Sequence, residues 1–258
     1  DVANTQDKVY SRELIDQHTF DAMVSHVSAV WNNKLGRIQV SDEVGSAGQQ
    51  SDENKATIYT ALWHSLLLPR IASDYDGEYI AFDSHSGSSP VMVAEGFVYM
   101  DDYSMWDIFR AQVVLTHLLY PESTIDLVSS LVAKADNGGW MPIFPAWNSY
   151  TSEMIGDHCC VLIADSLQKG IGNISWTDPV ALKAYEYCRQ SALEVPSEVD
   201  KHLGKGRKGI ESYLKYGYIP LEDTIREAPH ANQQVSRTME YAYNDFVISM
   251  WAKKLADE

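Results

Sequence analysis

Residues 137–170 read NGGWMPIFPAWNSYTSEMIGDHCCVLIADSLQKG, and this stretch contains the pattern that is most informative about the fold. A glycine-rich break is followed by an aromatic, proline-punctuated loop from Trp140 to Tyr150. A helix is predicted from about Glu153 to Lys169, with Gly170 placed to cap its end. A long loop that carries aromatic and acidic side chains and then enters a helix is therefore the unit to look for elsewhere.

The same pattern continues in both directions along the chain. Residues 73–96 are rich in Asp, Gly and Ser and predict a long loop with a short hairpin. Helical spacing of apolar residues predicts further helices over residues 20–35, 56–68, 104–119, 123–135, 179–193, 206–216 and 235–255. These helices and long loops predict a mainly α fold, an (α/α)6 toroid present as a partial barrel. In such a toroid the loops at one mouth form a pocket.

Charge and hydropathy exclude several classes of partner. The 258 residues carry a formal net charge of -16, with a sequence pI of about 4.8. Such a surface repels phosphate backbones and anionic lipid heads, so we expect neither nucleic acid nor a membrane surface as a partner. No apolar run approaches the roughly 20 residues that a membrane span needs. Neutral substrates and metal cations remain compatible with the charge.

The cysteines indicate packing and no chemistry of their own. Cys159 and Cys160 are adjacent and Cys188 makes the number odd, which fits neither a disulfide framework nor a zinc site. Free cysteine is usually interior. We expect three buried structural thiols.

Trp106 and Asp107 form the first candidate site. Ser104 is a good N-cap residue with Asp107 three positions later, so a capping role alone could explain both. In the functional interpretation Trp106 stacks on a sugar ring and Asp107 accepts hydrogen bonds from its hydroxyls. The residues leave both interpretations open. Arg110, one turn on, is expected to form an ion pair with Asp107.

A second candidate site lies where the aromatic loop enters the next helix. Glu153, Asp157 and His158 fall near the predicted helix N-terminus, where carboxylates are stabilised electrostatically. Taken by itself, Glu153 would be the candidate general acid for glycoside chemistry. A capped helix start with a hydrogen-bonded histidine explains the same residues equally well.

Two other acidic motifs favour structural roles. Asp74 and Asp76-Gly77 resemble half of a calcium loop, but the remaining ligands of that loop are missing, which favours a tight turn. Glu240 and Asn244 lie one turn apart on a predicted helix, where packing and helix hydrogen bonds explain them. The sequence therefore predicts no metal ligands within this chain.

Taken together, these stretches resemble the catalytic domain of glycoside hydrolase family 92, the exo-acting α-mannosidases. The matching segments occur in family order and span nearly the whole chain, so their series is more specific than any one of them. They are 59-YTALWHSLL-67, 73-SDYDG-77, 103-YSMWDIFR-110, 138-GGWMP-142, 154-MIGDH-158 and 240-EYAYND-245.

The resemblance implies a fold, an activity and a set of partners. The fold is an N-terminal β-sandwich followed by an (α/α)6 barrel, and the activity is inverting hydrolysis of terminal α-linked mannose assisted by calcium. Mannose-containing glycans are the implied substrates, and the implied location is secreted, periplasmic or cell-surface. Trp106 and Asp107 match the family's sugar-contacting Trp-Asp pair, whereas Glu153, Asp157 and His158 become pocket-lining candidates.

The chain departs from the complete family pattern in one respect. The Glu-Gly-Asn-x-Trp-Gln segment that carries the family's acid, and the Gly-Asn-Asp segment that carries its base, do not occur in it. Residues 1–258 are therefore expected to be a barrel portion without the sandwich and the C-terminal part of the barrel, with the acid, base and calcium ligands on remaining segments of the enzyme. The alternatives are a non-catalytic carbohydrate-binding or structural fragment, or a mannosyl-phosphate hydrolase on the same fold.

Overall fold

The computed structural model describes residues 20–41, 49–83, 90–223, 225 and 232–257, with the backbone alone at positions 49 and 50. Its described part is mainly helical, as the sequence predicts, and none of its helices is long and apolar enough to cross a membrane. The helices are α1 (Phe20–Leu35), α2 (Gln49–Ser65), α3 (Met105–Ile108), α4 (Gln112–Leu119), α5 (Thr124–Gly138), α6 (Cys159–Lys169), α7 (Pro179–Leu193), α8 (Glu198–His202), α9 (Ile210–Tyr216) and α10 (Gln234–Asp257).

Short strands pair antiparallel within the long loops. They are β1 (Arg70–Ile71), β2 (Glu78–Ile80), β3 (Val91–Val93), β4 (Met100–Asp101), β5 (Pro145–Ala146) and β6 (Ser149–Tyr150). They form three two-stranded sheets, β1 with β4, β2 with β3 and β5 with β6, among the described residues. The β2–β3 pair is the hairpin that the sequence predicts in the loop of residues 73–96.

The chain divides into two compact units, of which the first comprises residues up to Pro69 together with Asp74–Asp76. Within it α1 and α2 touch through Trp31 and Trp63, whose rings meet edge to face at 6.2 Å. The apolar stripe of α1 stays largely exposed, with Phe20 at 81% and Val27 at 51%. This stripe predicts the helix correctly but forms no core within the described part of its own unit.

The second unit, Arg70–Ser73 with Gly77–Glu258, contains the main core. Helices α5, α6, α7 and α10 pack against one another there. Their apolar faces supply fully buried side chains, among them Leu131, Leu162, Ile163, Ala184 and Trp251. Because α6 contributes buried residues at nearly every position, it forms the centre of this core.

All three cysteines lie in this core as free thiols, so the prediction of buried thiols is confirmed. Cys159 and Cys160 open α6, and Cys188 lies on α7. Burial raises the pKa of the Cys159 and Cys160 thiols well above the usual value. The thiols therefore stay protonated and act as small apolar side chains.

Glycines end the two helices that flank the aromatic loop. Gly139 has φ of +85° after α5, and Gly170 has φ of +63° after α6. This left-handed conformation is strained for residues with a Cβ, so glycine is the residue that ends a helix in this way. The N-terminus of α7 uses Pro179, whose fixed φ suits the first helical turn.

Several predicted helix bounds are wrong. The helix predicted from Glu153 begins only at Cys159, since Ser152, Met154 and Gly156 all have positive φ. The helix predicted over 104–119 is broken into α3 and α4 at Ala111, whose φ is -134°. The helix predicted over 56–68 is α2, which runs instead from Gln49 to Ser65, and that predicted from Gly206 is α9, which starts at Ile210.

Candidate functional site

Trp106 and Asp107 lie on the single turn of α3. Ser104 occupies its N-cap position, but its hydroxyl makes no capping bond to the backbone. Instead it is hydrogen-bonded to the Asp107 carboxylate. Asp107 is exposed and Trp106 is partly buried. This turn therefore presents a carboxylate to solvent beside an aromatic ring.

Glu240 on α10 fixes the ring of Trp106. The indole Nε1 donates to Glu240 Oε1 at 3.0 Å, across 134 residues of chain. Arg110 binds the same oxygen at 3.3 Å and also donates to the Trp106 carbonyl. Its guanidinium lies 4.4 Å from the Trp106 ring centroid and 4.5 Å from that of Phe109. The predicted Arg110–Asp107 ion pair is thus replaced by an ion pair with Glu240, because the Glu240 carboxylate reaches the guanidinium from another helix.

Asn244, one turn beyond Glu240 on α10, determines the tautomer of His158. The backbone N–H of Asp157 donates to Asn244 Oδ1 at 3.0 Å, so the Asn244 amide nitrogen is turned towards His158. That nitrogen lies 3.0 Å from His158 Nδ1. Since an amide nitrogen donates, Nδ1 must accept and the ring proton sits on Nε2. Nε2 lies 3.2 Å from Glu240 Oε2.

The surroundings of His158 keep it neutral. Its side chain is fully buried and stacks on Phe109 with ring centroids 4.0 Å apart. Burial and the positive charges of Arg110 and Arg207 lower the pKa of His158 to about 3. The neutral Nε2–H form therefore persists at neutral pH, as the hydrogen bond from Asn244 requires.

Behind His158, Asp157 is buried against a cation. Arg207 Nη2 lies 3.1 Å from Asp157 Oδ1, and Arg207 Nη1 donates to Asp245 Oδ1 at 2.6 Å. Burial raises the pKa of Asp157, while the Arg207 charge opposes the rise. Tyr213 donates to the other Asp245 oxygen at 2.9 Å. The buried charges are thus paired from one residue to the next.

Glu153 lies outside any helix, so its predicted placement on a helix N-terminus is wrong. It sits on the turn before α6, partly buried, and its backbone N–H donates to Thr151 Oγ1 at 3.2 Å. The turn is shaped by the positive φ of its neighbours Ser152 (59°) and Met154 (62°). Asp157 and His158 do lie directly before α6, where His158 takes the N-cap position.

The Asp74–Gly77 segment is the turn that the sequence favours. Tyr75 and Asp76 form the turn and Gly77 leaves it with φ of +87°. In the described ranges no three His, Cys, Asp or Glu side chains are grouped so that they could hold a metal ion.

Sequence reasoning missed the roles of Glu240 and Arg207. The spacing of Glu240 and Asn244 placed them on one helix face, which was a usable signal. Their partners Trp106 and Asp157 come from distant parts of the chain, and no local pattern identifies such partners.

Comparison with known proteins places these residues in a family context. The family model described as glycosyl hydrolase family 92 catalytic domain matches residues 7–258. A curated relative from Arthroderma benhamiae, described as an uncharacterized secreted glycosidase, is 24% identical over 241 residues, covering 93% of this chain and 24% of that protein.

Solved structures of the same family are also similar. One is a family 92 α-mannosidase from Bacteroides thetaiotaomicron, with 25% identity and a TM-score of 0.77 over 100% of this chain and 30% of that chain. Another is a family 92 inverting mannosidase from the same organism, with 27% identity and a TM-score of 0.72 over 92% of this chain and 28% of that chain. The chain thus spans less than a third of the length of each of these relatives.

Proposed function

The chain belongs to glycoside hydrolase family 92, and on that premise we propose that it is part of an exo-acting α-mannosidase. The enzyme removes terminal α-linked mannose from glycans with inversion, and this chain supplies part of the mannose-binding pocket. The likeness to an α-mannosidase and to an inverting mannosidase supports the substrate and the stereochemistry.

One observation carries the proposal: Trp106 is held by Glu240 while Asp107 beside it is exposed. An aromatic face packs against the C–H side of a sugar ring, and a carboxylate accepts hydrogen bonds from sugar hydroxyls. The two residues together would grip opposite chemical features of one mannose unit. Ser104 keeps the carboxylate oriented through its hydrogen bond.

We assign the other candidate residues supporting roles. Neutral His158 packs with Nε2 3.2 Å from Glu240 Oε2, and Asp157 orients Asn244 through its backbone, so both keep the Trp106 support in place. Glu153, on the turn before α6, is kept as a pocket-lining residue.

The acid, the base and calcium are assigned to parts of the enzyme that this chain does not cover. Glu240 is engaged by Trp106, Arg110 and His158, and Asp157 is buried against Arg207, which leaves neither carboxylate free for proton transfer. Inversion needs two carboxyl groups about 6.5–9.5 Å apart, with a water between them. Among the described residues, no three His, Cys, Asp or Glu side chains are grouped so that they could hold a metal ion. Calcium would contact the sugar from ligands elsewhere.

We extend the proposal to the architecture of the barrel and to the location of the enzyme. Helices α5, α6, α7 and α10 would form one side of an (α/α)6 toroid, with the loops before α3 and α6 at the mouth that receives the sugar. The description of the curated relative as a secreted glycosidase supports a secreted, periplasmic or cell-surface location.

Replacing Asp107 tests the proposal in the full-length enzyme. We expect Asp107→Asn to lower kcat/KM on α-1,2-mannobiose by about 100-fold, the scale of losing precise substrate placement. Asp165→Asn on α6, another acidic residue of the second unit, is the matched control and should retain activity. Near-normal hydrolysis by Asp107→Asn would remove Asp107 from the pocket.

A parallel assay separates the alternatives. Hydrolysis of α-mannosyl phosphate but not of mannobiose would favour the mannosyl-phosphate hydrolase. Mannose binding without turnover of either substrate, with calcium present, would favour a non-catalytic carbohydrate-binding protein.

A further inference from the structure

The turn between β5 and β6 presents a bulky residue in a strained conformation. Trp147 and Asn148 form its two-residue tip, with φ of +52° and +58°. Turns of this type favour asparagine and glycine, because positive φ costs a residue with a Cβ about 1–2 kcal/mol. Tryptophan is therefore an unusual choice at this position, and its indole must be maintained for another reason.

Two consecutive aspartates hold the strained backbone. The N–H of Trp147 donates to Asp102 Oδ1 at 3.1 Å, and the N–H of Asn148 donates to Asp101 Oδ2 at 2.7 Å. The Asn148 side chain is used in the same way, since its Nδ2 donates to the carbonyl of Ala81 at 3.1 Å and its Oδ1 accepts from Tyr99. The turn is thus fixed by hydrogen bonds through its main chain and through Asn148.

A buried ion pair supports Asp101, the first of these aspartates. Lys134 Nζ lies 2.8 Å from Asp101 Oδ1 and donates to the Tyr99 hydroxyl at 2.7 Å. Both charged side chains are buried, at 0% and 1% exposure. Such a pair is costly to bury, so its presence under a surface turn indicates that the position of the turn matters.

What this framework presents to solvent is an aromatic face with polar neighbours. Trp147 is 81% exposed. Asp102, which holds the Trp147 N–H, also forms an ion pair with Arg70, and the Arg70 side chain is 55% exposed. An exposed indole on a fixed backbone, beside a carboxylate and a guanidinium, matches the C–H faces and hydroxyls of a sugar ring.

We propose that Trp147 is a stacking platform for the sugar unit that follows the terminal mannose, with Arg70 and Asp102 contacting its hydroxyls. This inference rests on the proposed function, and it adds a second sugar position and a determinant of preference for oligosaccharides. The first position is the one formed by Trp106 and Asp107.

The spacing along the chain supports two positions on one ligand. Asp102 contacts the Trp147 backbone, and Trp106 follows Asp102 by four residues. Four residues span at most about 14 Å between Cα atoms. The backbones that carry the two tryptophans are therefore close enough for one short oligosaccharide to span both.

Replacement of Trp147 by glycine tests the platform, because glycine removes the ring and favours the positive φ of the turn. In the full-length enzyme, Trp147→Gly should lower kcat/KM on α-mannobiose about tenfold through a higher KM, the scale of one lost aromatic contact. Hydrolysis of α-mannosyl fluoride, which carries no second sugar, should be unchanged. Trp147→Tyr should restore most of the loss, and Tyr218→Ala, at another exposed aromatic residue, should behave as wild type.

Equal losses on both substrates, or no loss on mannobiose, would overturn the platform while leaving the mannosidase assignment intact. If the wild-type enzyme hydrolyses neither substrate, the proposed function fails, and calorimetric titration with mannobiose then decides the platform separately. Weaker binding to Trp147→Gly than to wild type would support it. Equal binding, or no binding to either protein, would refute it and leave Trp147 as a contact for a protein partner.

Discussion

Two clusters of buried charge in the second unit differ in what they hold. The Lys134 cluster (Lys134, Asp101, Tyr99 and Asn148) ends in backbone N–H groups and fixes the main chain of a turn. The His158 network (His158, Asn244, Asp157, Arg207 and Glu240) ends in the indole of Trp106 and fixes one side chain.

The two clusters differ in solvent exposure, and this difference predicts whether a mutation changes stability or activity. Both charges of the Lys134 cluster are cut off from solvent, whereas the His158 network leads outwards from buried Arg207 to Glu240, which is 19% exposed. Loss of a fully buried charge leaves its partner uncompensated and strongly destabilises the folded state. Loss of a partly exposed one lets water replace it. Loss of Lys134 should therefore act mainly on stability, whereas loss of Glu240, the partly exposed end of the His158 network, should act mainly on activity.

The largest effect is expected from Lys134→Met. Burial lowers the pKa of Lys134 to about 8, so the lysine is mostly charged at pH 7 and its removal leaves the buried Asp101 carboxylate without its counter-charge. The free energy of unfolding should fall by about 3–5 kcal/mol, measured by urea denaturation. Adding Asp101→Asn should recover part of the loss. The control Lys169→Met breaks an exposed pair with Asp165 and should cost at most about 1 kcal/mol; equal losses in the two variants would contradict the comparison.

A smaller effect, on activity, is expected from Glu240→Ala. Trp106 loses its acceptor and Arg110 its partner, so the indole is free to turn. In the full-length enzyme kcat/KM on mannobiose should fall by about 100-fold, as for a misplaced binding group. The free energy of unfolding of Glu240→Ala should change little. Glu240→Gln, which keeps an acceptor oxygen, should retain more activity than the alanine variant. Exposed Glu186→Ala on α7 is the matched control, and a stability loss as large as that of Lys134→Met would break the distinction between the clusters.

The smallest expected effect is the loss of folding stability as the pH falls. The folded pKa of His158, about 3, lies below the value of 6.5 for an unfolded histidine, so the unfolded chain binds the extra proton as pH falls. Its contribution to stability is complete above pH 6.5 and is lost as pH falls from there towards 3. Between pH 6.5 and 5 the loss amounts to about 2 kcal/mol.

Comparison of stability curves for wild type and His158→Gln isolates this contribution, since the remaining carboxylates titrate in both proteins. Wild type should lose more stability than the variant over that interval. Asn244→Asp, which sets a carboxylate opposite Nδ1, should raise the pKa of His158 and reduce the loss. Parallel curves for wild type and His158→Gln would show that burial and the charges of Arg110 and Arg207 do not hold the ring neutral.

Sequence patterns predicted correctly those elements whose bounds depend on neighbouring residues. The bounds of α7 follow from Pro179 and from the spacing of its apolar residues, and the structure has the helix over the predicted residues. The predicted start of α6 was wrong because the contact that determines it comes from a distant part of the chain. A Cβ on Gly204 would lie 2.5 Å from Ser152 Oγ, so the turn before α6 is packed tightly against a segment 52 positions away.

The candidate site divides in the same way. Trp106 and Asp107 stand out in the sequence because both are chemically distinctive and lie beside a cap residue. Glu240 as the partner of Trp106, and Lys134 beneath Trp147, become visible only when helices far apart in the chain meet. The exposure of Trp147 likewise depends on tertiary structure, since Trp140 and Tyr150 of the same loop are buried.

The three free thiols of the core also make this protein a reporter on its own motions. Cys160 on α6 and Cys188 on α7 are buried where these helices pack, and the Cys159 thiol is buried against the Pro142 carbonyl, so a thiol reagent reaches each of them only when its surroundings open. When reclosing is faster than labelling, the labelling rate measures the free energy of that opening, and when it is slower the rate measures the opening itself. The native cysteines thus allow opening of the core to be measured by thiol labelling, without an engineered probe.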